Sequence, residues 1–488
     1  MQNTNPAATQ APGIEPHHKL VLNLLLISAF VVILNETIMS VAIPRLMVSF
    51  QVAAGAAQWL TTAFLLTMAT VIPVTGFMLQ RLNTRPVFLL SMSLFCLGTL
   101  TATLSPDLHV LIAARVIQAS GTAIMMPLLM TSVMTLVPPE LRGRTMGNMT
   151  IVISVAPAIG PTLSGIVLNY LHWRWLFILV LPIALGALLL GAKRIQNVTT
   201  PRYAPLDVLS VVLCGLAFGG LVYGISTLGA AAAPGALPTW VPLVVGAVAM
   251  VAFIIRQLAL QQRNDALLDL RTFNSRNFTV CVVLMAILMG ALFGVIIVLP
   301  IYLQNVLGLS TLQTGLLLLP GGLLMGLLGP RVGRLYDRAG PRPLLIPGIF
   351  IVTAVLWAMT LLTPHTPVSY ILAGHIVMSI GFALLFTPLF TTSLSSVPPT
   401  LYAHGSAMLS SMQQVAGASG VALLIALMSS RGAQLAAQGA APLDALNGGI
   451  RAAFLTAASL ALVAVVCVFL VQRPKPVAPP DAAAPATH

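Results

Sequence analysis

Apolar residues in this chain come in blocks of about twenty, separated by short polar, charged or Pro/Gly-rich breaks. At 1.5 Å per residue such a block, coiled as a helix, spans the roughly 30 Å hydrocarbon core of a bilayer. The pattern predicts roughly fourteen membrane-spanning helices. The first six lie near 20–44, 57–80, 87–105, 108–136, 147–170 and 174–192, and two more near 206–228 and 239–260. The last six lie near 278–303, 311–333, 343–363, 367–390, 405–429 and 450–472. Pro138-Pro139, Ala233-Pro234-Gly235 and Pro398-Pro399 mark breaks, where proline and glycine cannot continue a helix. The expected fold class is therefore all-α and polytopic.

The charges orient these spans. With the N-terminus inside, about 18 of the 23 Lys and Arg fall on the cytoplasmic side, as the positive-inside rule requires. Arg45, Arg174, Arg431 and Arg451 fall outside, and Arg115 lies within the fourth span. An even span count returns the C-terminus to the cytoplasm.

An internal repeat divides the blocks. LIAARVIQASGTAIMMP in the fourth span matches ILAGHIVMSIGFALLFTP in the twelfth, which aligns Gly121 with Gly381 and Arg115 with His375. The basic loop from Gly76 (GFMLQRLNTRP) likewise pairs with that from Gly333 (GRLYDRAGPRP). Two six-helix halves, the arrangement expected of secondary transporters, then flank an inserted pair. The expected divisions are a cytoplasmic tail over 1–19, bundles over 20–192 and 278–472, an inserted two-helix region over 193–277, and a disordered Ala/Pro-rich tail over 473–488.

Composition narrows the class. The chain is 58% hydrophobic and 7% charged, against roughly 25% charged in soluble domains. The net charge of +13 reflects basic loops, with no basic stripe interleaved with aromatics, so nucleic acid is not an expected partner. Cys96, Cys214, Cys281 and Cys467 sit in apolar runs without a CxxC pair and read as packing residues. The ten acids and eight histidines form no HExxH-type metal pair or nucleophile–base cluster, so neither an enzyme nor a metal site is expected. No Walker A sequence and no repeated filter loop are present.

Glu36 stands out because it is the only carboxylate deep inside a membrane-length apolar block. A carboxylate there costs about 2.5–3.5 kcal/mol on insertion scales, so it is by default a functional-site hypothesis. Glu36 lies eight residues before Pro44 and Arg115 eight residues after Asp107, which puts each about 12 Å below the outer end of its span. At ~5 Å and an effective dielectric near 20 their attraction would be about 3 kcal/mol. Moving Arg115 toward or away from Glu36 would then change the acid's hold on a proton. A static ion pair locking spans one and four, or binding of a cationic substrate, remains the alternative. Asn35 is a supporting polar neighbour, and Gln118, one turn from Arg115, is placed either to hold the guanidinium or to pack between helices. His375 reads first as a satisfied core histidine and second as a proton relay. The half-repeat supplies no second acid, since the matching part of span nine has Phe293-Gly294.

These segments resemble the major facilitator superfamily, specifically its fourteen-helix drug:proton antiporter branch (EmrB/QacA type), over nearly the whole chain. LNETIMSVAIP, from Leu34 to Pro44, looks like the first-helix motif of that branch, whose usual form has Asp at the position of Asn35. Here the acid is displaced to Glu36, about 100° around the helix. Arg115-Val116-Ile117-Gln118 matches the fourth-helix motif, with Ala119 in place of its usual Gly. Ala156-Pro157-Ala158-Ile159-Gly160-Pro161, continuing to Gly165, is similar to the fifth-helix motif of antiporters, and His172 to Phe177 also resembles a sequence frequent in the branch. The loop motif is intact in the second half (Gly333, Asp337, Arg338, Gly340, Arg342). In the first half Gln80 and Asn83 replace its Asp and second Gly.

The resemblance implies a multidrug efflux transporter of the bacterial inner membrane, exchanging amphipathic compounds for H⁺ and powered by the proton gradient without a cofactor. It assigns proton coupling to Glu36 and Arg115, a bending point to Pro157, Gly160, Pro161 and Gly165, and a cytoplasmic gate to the second-half loop motif. Gln58, Gln304, Asn305, Gln413 and Gln414 are candidate cavity amides. Partners would be the lipid bilayer, amphipathic substrates and a candidate periplasmic adaptor. The alternative on the same fold is a proton-coupled exporter of one metabolite, lipid or siderophore.

Overall fold

A computed structural model describes residues 14–52, 54–197, 207–226, 238 and 240–474. The expectations for most of the N-terminal tail and for the end of the C-terminal tail lie outside the described residues. Every regular element among the described residues is helical, and fourteen helices are long and apolar enough to cross a membrane. The first six are α1 (Pro16–Phe50), α2 (Ala54–Arg81), α3 (Thr84–Leu104), α4 (Leu108–Leu136), α5 (Arg142–Tyr170) and α6 (Trp175–Arg194). The inserted pair is α7, residues 208–226 with a π-helical turn at Gly215–Gly219, and α8 (Trp240–Leu260). The last six are α9 (Arg276–Asn305), α10 (Thr311–Ala339), α11 (Arg342–Met359), α12 (Val368–Ser395), α13 (Tyr402–Ala437) and α14 (Pro442–Val468).

Local chemistry sets the helix ends. The Asp107 carboxylate accepts from the Val110 N–H at 2.9 Å and caps α4. Ser310 and Gln313 form a reciprocal capping box at the start of α10. Gly340 closes that helix at φ +81°, a conformation open to glycine and strained for residues with a Cβ. Several helices outrun the sequence expectation: α1 continues to Phe50, α10 to Ala339 and α13 to Ala437, and α14 begins at Pro442. Hydropathy marks where the membrane ends, whereas a helix stops only where the backbone is broken. For α1 that break is Gln51, in the left-handed region at φ 53°.

The two six-helix halves pack alike. In the first, α1 lies against α4, α5 and α6, and α3 against α4 and α6. In the second, α9 lies against α12, α13 and α14, and α11 against α12 and α14. The aligned glycines serve the same contact: Gly121 of α4 admits Ser91 and Phe95 of α3, and Gly381 of α12 admits Gly348 and Val352 of α11. Two helix pairs form the seams between the halves, α5 with α10 and α2 with α13, and the inserted α7 lies against both α2 and α13. The turns carrying Arg81, Arg85, Arg142, Arg144, Arg338 and Arg342 collect at one end of the bundle, hereafter the basic end.

The seams differ in kind. Along α5 and α10 the contact is a ladder of glycines. A Cβ on Gly143 or Gly147 would strike the backbone of Gly333 or Gly329, and Gly326 and Gly322 face Val155 and Ala158 higher up. Small residues at i, i+4 spacing let two backbones touch in a membrane, where packing supplies much of the attraction between helices. The α2/α13 seam has one such crossing, Gly76 against Ala403 and Ala407.

Candidate functional site

The polar residues buried inside the first half converge on Arg115. Its side chain is 1% exposed on α4. Nη1 donates to Asn35 Oδ1 of α1 at 3.1 Å and to Gln118 Oε1, one turn along α4, at 3.0 Å. The Gln118 Nε2 in turn donates to Thr99 Oγ1 of α3 at 2.8 Å. Phe64 of α2 lies under the guanidinium, with Cζ 4.0 Å from the ring centroid, in cation–π geometry. One charge therefore ties four helices, with neutral acceptors at each hydrogen bond. Its Nε is buried and has no hydrogen-bond partner among the described residues.

Glu36 is the next residue on α1, yet it is turned about 100° away from Asn35. It is partly accessible where Asn35 is buried, and among the described residues no cation lies within 4.0 Å of its carboxylate. The expected direct contact between Glu36 and Arg115 is thus replaced by Asn35–Arg115, because side-chain direction on a helix turns with each residue. The Glu36 and Arg115 charges still act on each other electrostatically.

The fifth-helix motif meets α1 beside this acid. A Cβ on Gly160 would run into Thr37, whose Oγ1 donates to the Leu34 carbonyl at 3.0 Å. Gly160 thus sets how closely α5 approaches the Glu36 segment. Gly165 has open space around it. Helix α5 runs through Pro157 and Pro161 without interruption.

At the basic end Asp337 bridges the halves. Its carboxylate accepts from the Gly143 N–H at 2.7 Å and the Arg144 N–H at 2.9 Å, so an acid from α10 caps α5. Gly333 makes the backbone contact one turn earlier. The other gate residues make contacts of a different kind. Arg342 donates from Nε to the Val471 carbonyl at 2.9 Å, after the end of α14 in its own half, and Arg338 is exposed. Arginine reaches carbonyls at helix C-termini readily, because those groups lack intrahelical partners.

The remaining candidates do not come together. His375 shares a hydrogen bond of 3.1 Å between Nε2 and the Leu318 carbonyl of α10, away from the Arg115 network. Gln413 donates to the Leu409 carbonyl of its own helix, and Gln414 reaches Met68 Sδ of α2 at 3.5 Å. Gln304 and Asn305 occupy the last turn of α9, on the order of 24 Å further from the basic end than Gln414. The Gln58 side chain lies outside the described residues. Sequence reasoning missed Phe64, Thr99 and Thr37, whose only signal is a helical position facing a polar neighbour. It also missed Gly143 and Gly147, whose i, i+4 spacing is a readable small-residue signal.

The sequence pattern of the Major Facilitator Superfamily matches residues 25–421. An MFS-type transporter of Bacillus subtilis (strain 168), YcnB, is 38% identical over 459 residues, covering 94% of this chain and 96% of the relative. The lincomycin resistance protein LmrB of Listeria monocytogenes serovar 1/2a is 36% identical over 455 residues, covering 92% and 96%. The crystal structure of the human organic anion transporter MFSD10 superposes with a TM-score of 0.68, covering 93% of this chain and 100% of that one, at 15% identity.

Proposed function

The chain belongs to the major facilitator superfamily, and on that premise we propose that it exports amphipathic toxic compounds from a bacterial cell in exchange for protons, by alternating access. The observation that carries the reading is the division of labour between adjacent residues of α1. Asn35 anchors the buried Arg115, while Glu36, with no cation within 4.0 Å among the described residues, is partly accessible within electrostatic reach of the same Arg115. An acid that must load and release H⁺ needs access, and a fixed neighbouring charge makes its proton affinity responsive to small movements of α1 against α4. The basic end is the cytoplasmic one by the positive-inside rule, and the Asp337 cap then closes the inward face. The name of the LmrB relative supports a drug substrate.

The test uses inverted vesicles with an imposed proton gradient and a pH-sensitive dye. Lincomycin or a lipophilic cation should dissipate the gradient with the wild type and leave it standing with Glu36→Gln. Full coupling by Glu36→Gln would remove the proposed carrier.

A further inference from the structure

The loop motif that closes the α5/α10 seam is incomplete in its first-half copy. Gly76 and Gly333 occupy matching places, each crossing the opposite half by close backbone approach. Four residues on, Asp337 accepts from two backbone N–H groups of α5, whereas its counterpart Gln80 makes a single exposed bond, Nε2 to the Thr400 carbonyl at 3.3 Å. A neutral bond in contact with water stabilises less than a carboxylate held by two amides. The glycine ladder is likewise confined to α5/α10. The α2/α13 seam therefore lacks both devices that hold its partner.

The inserted hairpin lies over that seam and is tied to both sides of it. Against α2, the π-turn of α7 places Gly215 and Gly219 around Thr70, and Tyr223 stacks on Trp59 with centroids 5.8 Å apart. At the basic end of the hairpin Arg256 holds Asp207 with bonds of 2.6 and 2.7 Å, and Ser210 Oγ bonds to the same carboxylate. Gln257, fully buried, donates to Ser210 Oγ at 2.7 Å and accepts from the Leu268 N–H at 3.2 Å. That bond passes from the hairpin to the connector over residues 261–275.

The connector is seated on α13. Leu267, Leu268 and Asp269 are buried, Thr272 Oγ1 lies 3.0 Å from Met408 Sδ, and Asp269 acts electrostatically on the buried His404. Asp269 is itself held by the Arg271 N–H at 2.9 Å and by its guanidinium, and the latter reaches Asn264 at 2.7 Å. A cavity of about 630 Å³, with Gln80, Asp269, Thr400 and His404 on its walls, separates the connector from the end of α2. The two halves are thus joined on this side by a path from α2 through α7, Gln257 and the connector to α13.

We propose that the inserted hairpin and its connector are a strap across the α2/α13 seam, standing in for the acid that α2 lacks, with the Gln257–Leu268 bond as its buckle. This goes beyond the proton-export reading and does not depend on it.

The experiment measures distances between spin labels in purified full-length protein whose four native cysteines have been replaced. One pair, at Leu82 and Thr400, reports the α2/α13 seam, and a second, at Glu140 and Arg334, reports α5/α10. Gln257→Leu should raise the separated population of the first pair several-fold and leave the second unchanged. Gln80→Asp, added to Gln257→Leu, should return the first pair to its wild-type distribution, because a carboxylate there can cap α13 as Asp337 caps α5. Unchanged Leu82–Thr400 distances in folded Gln257→Leu, or equal widening of both pairs, would overturn the strap. If Gln257→Leu does not fold, Thr272→Val takes its place with the same expectations. No substrate or proton gradient enters the measurement, so its failure is separable from failure of the Glu36 assay.

Discussion

Asn35 Oδ1 lies 3.1 Å from Arg115 Nη1, so the buried cation of the first half is anchored by an amide one residue away from the acid. Were the acid at position 35, charge and counter-charge would be locked together out of water. Such a pair is costly to break, because either partner left alone is a buried unpaired charge.

Moving the acid onto the anchor therefore separates access from mere proximity. In the double variant Asn35→Asp/Glu36→Gln the carboxylate would contact Arg115 directly. Substrate-driven proton movement in inverted vesicles is expected to stay at the level of Glu36→Gln. Restored coupling would show that the accessible position of Glu36 is unnecessary.

Arg115→Lys keeps the charge and loses the geometry. Both amide oxygens accept from Nη1 alone, and an ammonium that reached them would present no flat face to Phe64 as the guanidinium does. The expected loss in transport is at least about tenfold, the scale of a desolvated cation–π contact. Initial rates of efflux at matched protein levels measure it.

Gly147→Ala places a methyl group against the Gly329 backbone, where no side chain can rotate away. Overpacking of this kind costs about 1–3 kcal/mol. A lower melting temperature in detergent is expected together with greater labelling of cysteines introduced along the basic-end half of α5. Gly165→Ala, which meets open space, serves as the control and should behave as wild type.

Asp337→Asn removes the charge from the cap on α5 while preserving the side-chain shape. Two charge-assisted bonds become one neutral acceptor and one N–H facing another N–H, a loss of about 1.5–3 kcal/mol. The Glu140–Arg334 label pair should widen in this variant, with Leu82–Thr400 following less.

The hairpin tie has a defined pH window. Hydrogen bonds from Arg256 hold the Asp207 carboxyl down at about 2, against an ordinary 3.8. A depressed folded-state value contributes stability that is complete above the unfolded value and is lost as pH falls through the folded one. The melting-temperature difference between wild type and Asp207→Asn should thus be constant from pH 8 to 5 and shrink below about pH 4. A difference that changes between pH 8 and 5 would contradict this assignment.

The helix count and the half-repeat were legible because a membrane leaves its length in the hydropathy pattern and symmetry leaves its spacing in motifs such as Gly121/Gly381. Facing was not. Asn35 and Glu36 are both polar in an apolar block, and a rotation of about 100° decides which one meets Arg115. Nor can spacing pair Gly143 with Gly333 across the chain, since each small-residue run is visible alone while its partner is chosen by the packing of two halves. Arg342 illustrates a third limit. Its place in the motif was readable, but the carbonyl it binds belongs to a helix end more than a hundred residues downstream.

The glycine ladder of α5 and α10 bears on speed. Interlocked side chains must disengage, change rotamer and find new holes before two helices can turn on each other, and each such step adds to the barrier. A seam built from bare backbone has little to unmesh near Gly143/Gly333 and Gly147/Gly329. The ladder can hold the two helices close yet, on the alternating-access reading, let them slide with little side-chain exchange. The resistance then lies in polar contacts at its rim such as the Asp337 cap.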